Sequence, residues 1–190
     1  PDSGRIILDG VDITDLPARL RHIGMVYQDY MLFPHLNVEK NIGFGLKQLG
    51  KPSHDIRKAT EDIASLLGIS HLLSRDPVTL SGGEQQRVAI ARAYALDPQV
   101  LLMDEPFVSL DDPTAQSLRR LLIELCERHP TTVIFVTHDR AEAVQLATRI
   151  LRLAPGKASV VQDANVQLTT AQRLDRGLVL AEQSRIFAAA

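Results

Sequence analysis

Asp104 and Glu105 directly follow the apolar run Val100-Leu101-Leu102-Met103, an order that suits metal-assisted attack of water on a phosphate. One carboxylate holds Mg²⁺, and its neighbour takes a proton from the attacking water. Two solvated acids opening a loop before Pro106 would read the same way, so the pair alone does not decide. His138 follows a second apolar run, Thr132 to Val136, and Gln28 follows a third, His22 to Tyr27. Each of these alone is an ordinary polar residue at a strand end. Leu80-Ser81-Gly82-Gly83-Glu84-Gln85 suggests a different role. Ser81 as N-cap and Glu84 three residues on form a capping box that satisfies two orphan backbone donors. Capping does not account for Gly82 and Gly83, which cost about 1 kcal/mol each against alanine inside a helix. Bare backbone at the positive end of a helix suits the approach of a phosphate.

The elements that position these groups follow from periodicity. Residues 99 to 153 alternate: strand 100–103, helix 117–128 with Leu118, Leu121, Leu122 and Leu125 on one face, strand 132–136, a short helix marked by Ala141, Val144 and Ala147, and strand 149–153. That alternation predicts an α/β fold with parallel pairing and right-handed crossovers. Ligands collect beyond the carboxyl ends of such strands, which places Asp104, Glu105 and His138 on one expected edge. Residues 29–98 read as an inserted helical subdomain, with a helix over 55–67 that carries Ile56, Ala59, Ile63, Leu66 and Leu67 on one face. Residues 1–28 and 99–153 are the expected core sheet, 4–10 a hairpin arm, and 154–190 an extension to which no chemistry is assigned.

Composition narrows the function classes. The chain has 190 residues, 45% of them hydrophobic, enough for one core or a core with a small subdomain. Lys and Arg number 21 against 23 Asp and Glu, a net charge of -2 without blocks of like charge, so a nucleic-acid partner gains no support. Cys126 is the only cysteine, and residues 1 to 20 lack the charged-then-apolar pattern of a signal peptide. A reducing cytoplasm is the expected setting. The apolar runs fall well below the roughly 18 residues of a membrane span, so work at a membrane would be peripheral.

Gln28, LSGGEQ (80–85), VLLMDEP (100–106), SLD (109–111) and THDRAEA (137–143), taken in that order, resemble the ATP-binding cassette family, the ATPase subunits of ABC transporters. The resemblance covers residues 4 to 153. It implies a P-loop NTPase-like cassette with a mostly parallel sheet and an inserted helical signature subdomain. It also implies that Asp104 binds Mg²⁺, that Glu105 is the general base, that Gln28 touches metal and water and senses the membrane partner, and that His138 contacts the γ-phosphate. Asp111 matches the aspartate that reaches across a dimer interface. Ser81, Gly82, Gly83 and Gln85 match the signature that closes over ATP held by a second subunit, with Glu84 free to cap while Ser81 faces the ligand. Val108 departs from the serine often found before that aspartate.

No run in the 190 residues fits GxxxxGK[ST], the family's P-loop. The reading is therefore a fragment or truncated product that lacks the first strand, the P-loop helix and the adenine-stacking aromatic, and that is inert toward ATP by itself. The implied function is the ATPase of an importer for oxyanions, sugars or iron, with molybdate or tungstate favoured by residues 27–46. Implied ligands are ATP and Mg²⁺. Implied partners are a second ATPase subunit, most simply a homodimer, and transmembrane permease subunits at the cytoplasmic face of the inner membrane, with a solute-binding protein acting indirectly. The alternative is a non-catalytic module that supplies its signature in trans or binds a permease without turnover. Cassettes of translation or DNA repair are disfavoured by the single cassette.

Overall fold

Asp9-Gly10 is a strong hairpin signal, and both residues take the left-handed conformation that a tight primed turn requires, with φ of 47° and 79°. They join β1 (Ile7–Leu8) to β2 (Val11–Asp12) as an antiparallel arm. The computed structural model describes residues 3–156 and 159–188. The first two residues of the expected core segment, and residues 157, 158, 189 and 190 of the expected extension, lie outside the described residues. The chain divides into two compact units, one made of the residues up to Leu110 with His129–Phe135, the other of Asp111–Arg128 and the residues from Val136 onward.

In the first unit β3 (Ile23–Val26) and β4 (Val100–Asp104) pair in parallel, from Ile23 opposite Val100 to Val26 opposite Met103. Parallel neighbours need a crossover, and here residues 27–99 provide it as a helical bundle. β5 (Thr132–Val136) lies on the other side of β4, its last residue falling in the second unit. The bundle begins with α1 (Val38–Gln48), where the Asn37 side chain accepts from the Lys40 N–H at 3.0 Å and Val38, Ile42 and Leu46 bury one face. It continues through α2 (Ser53–Leu66) to α3 (Gly82–Tyr94). Close packing of α1 depends on Gly43. A Cβ there would lie 2.7 Å from Ile56 Cγ2 and 3.3 Å from Thr60 Oγ1. Asn41, fully buried, donates through Nδ2 to the carbonyls of Phe33, Leu36 and Asn37 and accepts from the Phe33 N–H, so one side chain ties together both ends of the segment just before α1.

The second unit contains α4 (Asp112–Arg128), α5 (Arg140–Leu146), β6 (Arg149–Leu153), β7 (Val160–Asn165) and α6 (Arg176–Phe187). Helix α4 starts five residues before the expected Ser117, because Asp111 caps it: the Asp111 carboxylate accepts from the Thr114 N–H at 3.0 Å and from its hydroxyl at 2.9 Å. β6 corrects the expectation of a third parallel strand. It pairs antiparallel with β7 in a two-stranded sheet. The link from Leu153 to Val160 is too short for a crossover and long enough for a hairpin. The described residues after Leu153 thus form elements, and Val179 and Ile186 of α6 share a small core with Val144 of α5, packed round by Ala141, Ile150, Ala164, Val166, Leu168 and Phe187.

Candidate functional site

The parallel register of β3 and β4 sends Gln28 and the Asp104-Glu105 pair off the same edge of the first unit. Val26 is level with Met103, so the next residues along the two strands, Tyr27 and Asp104, leave together, with Gln28 and Glu105 one step further. Glu105 takes a left-handed backbone conformation, φ 41°, a region that glycine enters freely and that is costly for an L-residue. Strain of this kind gathers at functional positions. Two more left-handed residues follow Gln28: Tyr30 at 59° and Met31 at 46°.

The signature residues stand at the amino end of α3 in the same unit. The capping box is formed as expected. The Ser81 N–H and hydroxyl both donate to Glu84 Oε2 at 2.8 Å, and the Ser81 hydroxyl accepts from the Glu84 N–H at 3.4 Å. These bonds hold the Glu84 carboxyl below its ordinary range, the backbone N–H of Ser81 most of all. The Ser81 hydroxyl is thus engaged with Glu84 within the cap, and donating to a ligand would require it to turn. Gln85 is likewise occupied locally, its amide donating to the carbonyls of Pro77 at 3.2 Å and Leu80 at 3.1 Å. What α3 leaves bare is backbone. A Cβ on Gly82 would meet only Leu110 and the Tyr30 hydroxyl, each at 3.5 Å.

His138 and Asp111 belong to the second unit. His138 precedes Asp139, whose carboxylate caps α5 by accepting from the Ala141 and Glu142 N–H groups. Asp111 is held below its ordinary range by the Thr114 N–H first and the Thr114 hydroxyl next. Periodicity and motif reading passed over Glu142 and Arg119, which form a buried ion pair in this unit, and Arg92 and Tyr30 in the first. For Arg92, Arg119 and Glu142 the signal in the sequence is only a charged residue on a helix, and for Tyr30 only an aromatic residue in a loop.

Gly45 to Lys51 reproduces the GxxxxGK spacing with Pro52 where a hydroxyl residue belongs. Gly45 lies inside α1, and Gly50, φ 71°, ends the turn after it. That run is a helix end and not a phosphate loop. Among the described residues no group of three or more His, Cys, Asp or Glu is arranged to hold a metal ion by itself. Asp104 and Gln28 offer hard oxygen donors from neighbouring strand ends, the sparse set that Mg²⁺ accepts when phosphate and water complete its shell.

Comparison with known proteins accords with this geometry. The profile of the ABC transporter family matches residues 1–108. A molybdate/tungstate import ATP-binding protein of Pyrococcus horikoshii is 47% identical over 163 residues, 86% of this chain and 47% of that protein. A sulfate/thiosulfate import ATP-binding protein of Nephroselmis olivacea is 46% identical over 160 residues, 84% of this chain and 47% of that protein. The chain thus spans about half the length of these curated relatives. A dimeric structure of a post-hydrolysis ATP-binding cassette bound to ADP and Pi superposes with a TM-score of 0.75 at 31% identity, covering 89% of this chain and 76% of that one.

Proposed function

We infer that this chain, which belongs to the ABC transporter family, supplies the hydrolytic edge and the signature helix of an importer's ATPase. The observation that carries the reading is the β3–β4 register, which delivers Gln28, Asp104 and Glu105 to one strand-end edge. When bound, Mg²⁺ would supply charge neutralisation on the phosphates, with Asp104 and the Gln28 amide oxygen as its protein donors. Glu105 is suited to accept the proton of the attacking water. His138 is suited to donate to the γ-phosphate, and Asp111 to meet a second subunit. The exposed backbone at Gly82 is suited to a γ-phosphate presented by that subunit, with Gly83 buried behind it in the same turn.

The two relatives named above handle oxyanions, and an oxyanion is the cargo class proposed here. Proposed partners are a second copy of the ATPase, as in the dimeric neighbour, and permease subunits at the cytoplasmic face of a membrane. Among the described residues no helix is long and apolar enough to cross a membrane, which agrees with a peripheral seat.

The test joins the chain to an amino-terminal segment bearing GxxxxGK[ST] and measures ATP turnover. Glu105→Gln then lowers turnover by roughly 10²–10⁴ with ATP affinity nearly intact, the usual worth of a general base. A joined chain that binds Mg-ATP and turns it over equally well with Glu105 or glutamine at that place overturns the assignment. One that binds without any turnover favours a non-catalytic module.

A further inference from the structure

Two consecutive non-glycine residues in the left-handed region, Tyr30 and Met31, do not hold themselves. Each costs of order 1 kcal/mol or more, and something nearby must repay it. Arg92, three turns along α3 from Ser81, reaches over and donates through Nη1 to the Met31 carbonyl at 2.6 Å and through Nη2 to the Tyr30 carbonyl at 2.9 Å. Its guanidinium carbon also lies 5.3 Å from the centre of the Phe33 ring. The planar fork of arginine suits two carbonyls displayed side by side, and the point charge of a lysine does not. Burial at this place works against the Arg92 charge, so the contacts must compensate for lost solvent. The other end of the same loop is tied as well. The Tyr30 phenol hydrogen-bonds with Ser109 and borders Gly82 at the start of α3.

We propose that Arg92 is a positioning residue that clamps the turn after Gln28 to the signature helix, so that Gln28 and the Ser81–Gly83 backbone shift as one body. Helix α3 is the rigid member: at 1.5 Å per residue, the eleven steps from Ser81 to Arg92 span about 16 Å. A displacement at the exposed amino end of α3 then carries the Tyr30–Met31 turn with it, and with that turn the residue two places before it. The inference rests on the functional reading only for the roles given to Gln28 and to Ser81–Gly83. The clamp itself is a property of this chain without nucleotide.

Residue-resolved amide hydrogen exchange on the 190-residue chain tests it. The Tyr30 and Met31 amides bond to the carbonyls of Tyr27 and Asp29 within the clamped turn, whereas the Phe33 amide bonds to Asn41 and serves as the control. Arg92→Met raises exchange at Tyr30 and Met31 at least tenfold and leaves Phe33 and the β4 amides as they were. Ser81→Ala, which loosens the amino end of α3, raises exchange at Tyr30 and Met31 when Arg92 is present and fails to do so when combined with Arg92→Met. A residue that merely packed would give additive effects. Should Arg92→Met not fold, Arg92→Lys replaces it, with a smaller rise confined to the same two amides. Unchanged Tyr30 and Met31 exchange in a folded Arg92 variant, or equal Ser81→Ala effects in both backgrounds, overturns the proposal. Because no ATP is present, that failure is separate from failure of the ATPase reading.

Discussion

Arg119 on α4 and Glu142 on α5 meet at 3.3 Å inside the second unit, with the two side chains 19% and 5% exposed. The pair joins the helix that begins beside Asp111 to the helix that begins beside His138, and Glu142 also hydrogen-bonds with Thr137, the residue before His138.

Removing the Glu142 carboxylate takes a charged partner away from the largely buried Arg119 guanidinium. Glu142→Ala should therefore cost toward the lower end of roughly 3–5 kcal/mol, since Arg119 keeps some solvent. Burial, first among several influences, raises the Glu142 carboxyl above its ordinary value, while Thr137 and Arg119 pull it down and Asp139 pushes it up. A raised folded value means stability present below the unfolded value and lost as pH rises through the folded one. Chemical denaturation of wild type and Glu142→Gln from pH 4 to 8 should show the wild type losing ground to the variant as pH increases. A constant difference would contradict the assignment.

The capping box gives the opposite sign. The Glu84 carboxyl is held low by Ser81, so its contribution is present above the unfolded value and is lost as pH falls through the folded one. Ser81→Ala should destabilise the chain by about 1 kcal/mol, the usual worth of an N-cap. The gap between wild type and Glu84→Gln should shrink as pH falls below the ordinary glutamate range, where Glu84 protonates. Urea unfolding midpoints measured across that range decide it.

Gly43→Ala pits helix propensity against space. Alanine gains about 1 kcal/mol within a helix, but its Cβ would sit 2.7 Å from Ile56 Cγ2, a branched atom next to the α2 backbone that cannot swing aside alone. Overpacking costs typically about 1–3 kcal/mol, so the net effect should be destabilising by up to about 2 kcal/mol. The double variant Gly43→Ala with Ile56→Val keeps that Cγ2 and should stay destabilised, whereas Gly43→Ala with Ile56→Ala should recover part of the loss. Thermal unfolding of the three variants measures this.

Calorimetric titration of the 190-residue chain with Mg-ATP should show no binding in the micromolar range. The phosphate cradle of such ATPases is a run of backbone N–H groups and a lysine, and no GxxxxGK[ST] run occurs in these residues. Asp104, Glu105 and Gln28 engage a nucleotide only once something else anchors it. Micromolar affinity would show that another part of this chain grips the phosphates.

Much of this was legible wherever local pattern sufficed. Asp9-Gly10 announces its hairpin, the Ser81/Glu84 pair its capping box, and the run Val100 to Met103 the strand that ends on Asp104. The start of α4 escaped because its first turn, Asp112 to Ala115, has no apolar period and is marked only by a side-chain cap. The pairing of β6 escaped for another reason. An apolar strand is recognisable by itself, but its direction depends on a partner chosen by the length of the link to Val160. In the candidate site, residue types and order were readable, while the ties of Arg92 to Tyr30 and Met31 join positions about sixty residues apart and leave no local trace.

The left-handed backbone at Glu105 sets chemistry against conformation in any drifting population of this gene. Glycine, or to a lesser degree asparagine, would relax that φ, so the backbone at this place works against the carboxylate. Selection for solubility or thermal tolerance without demand for turnover should therefore collect Glu105→Gly or Glu105→Asn early. A library in which glutamate persists at this one place under stability selection would mean that the neighbouring chain, and not catalysis, is what keeps it there.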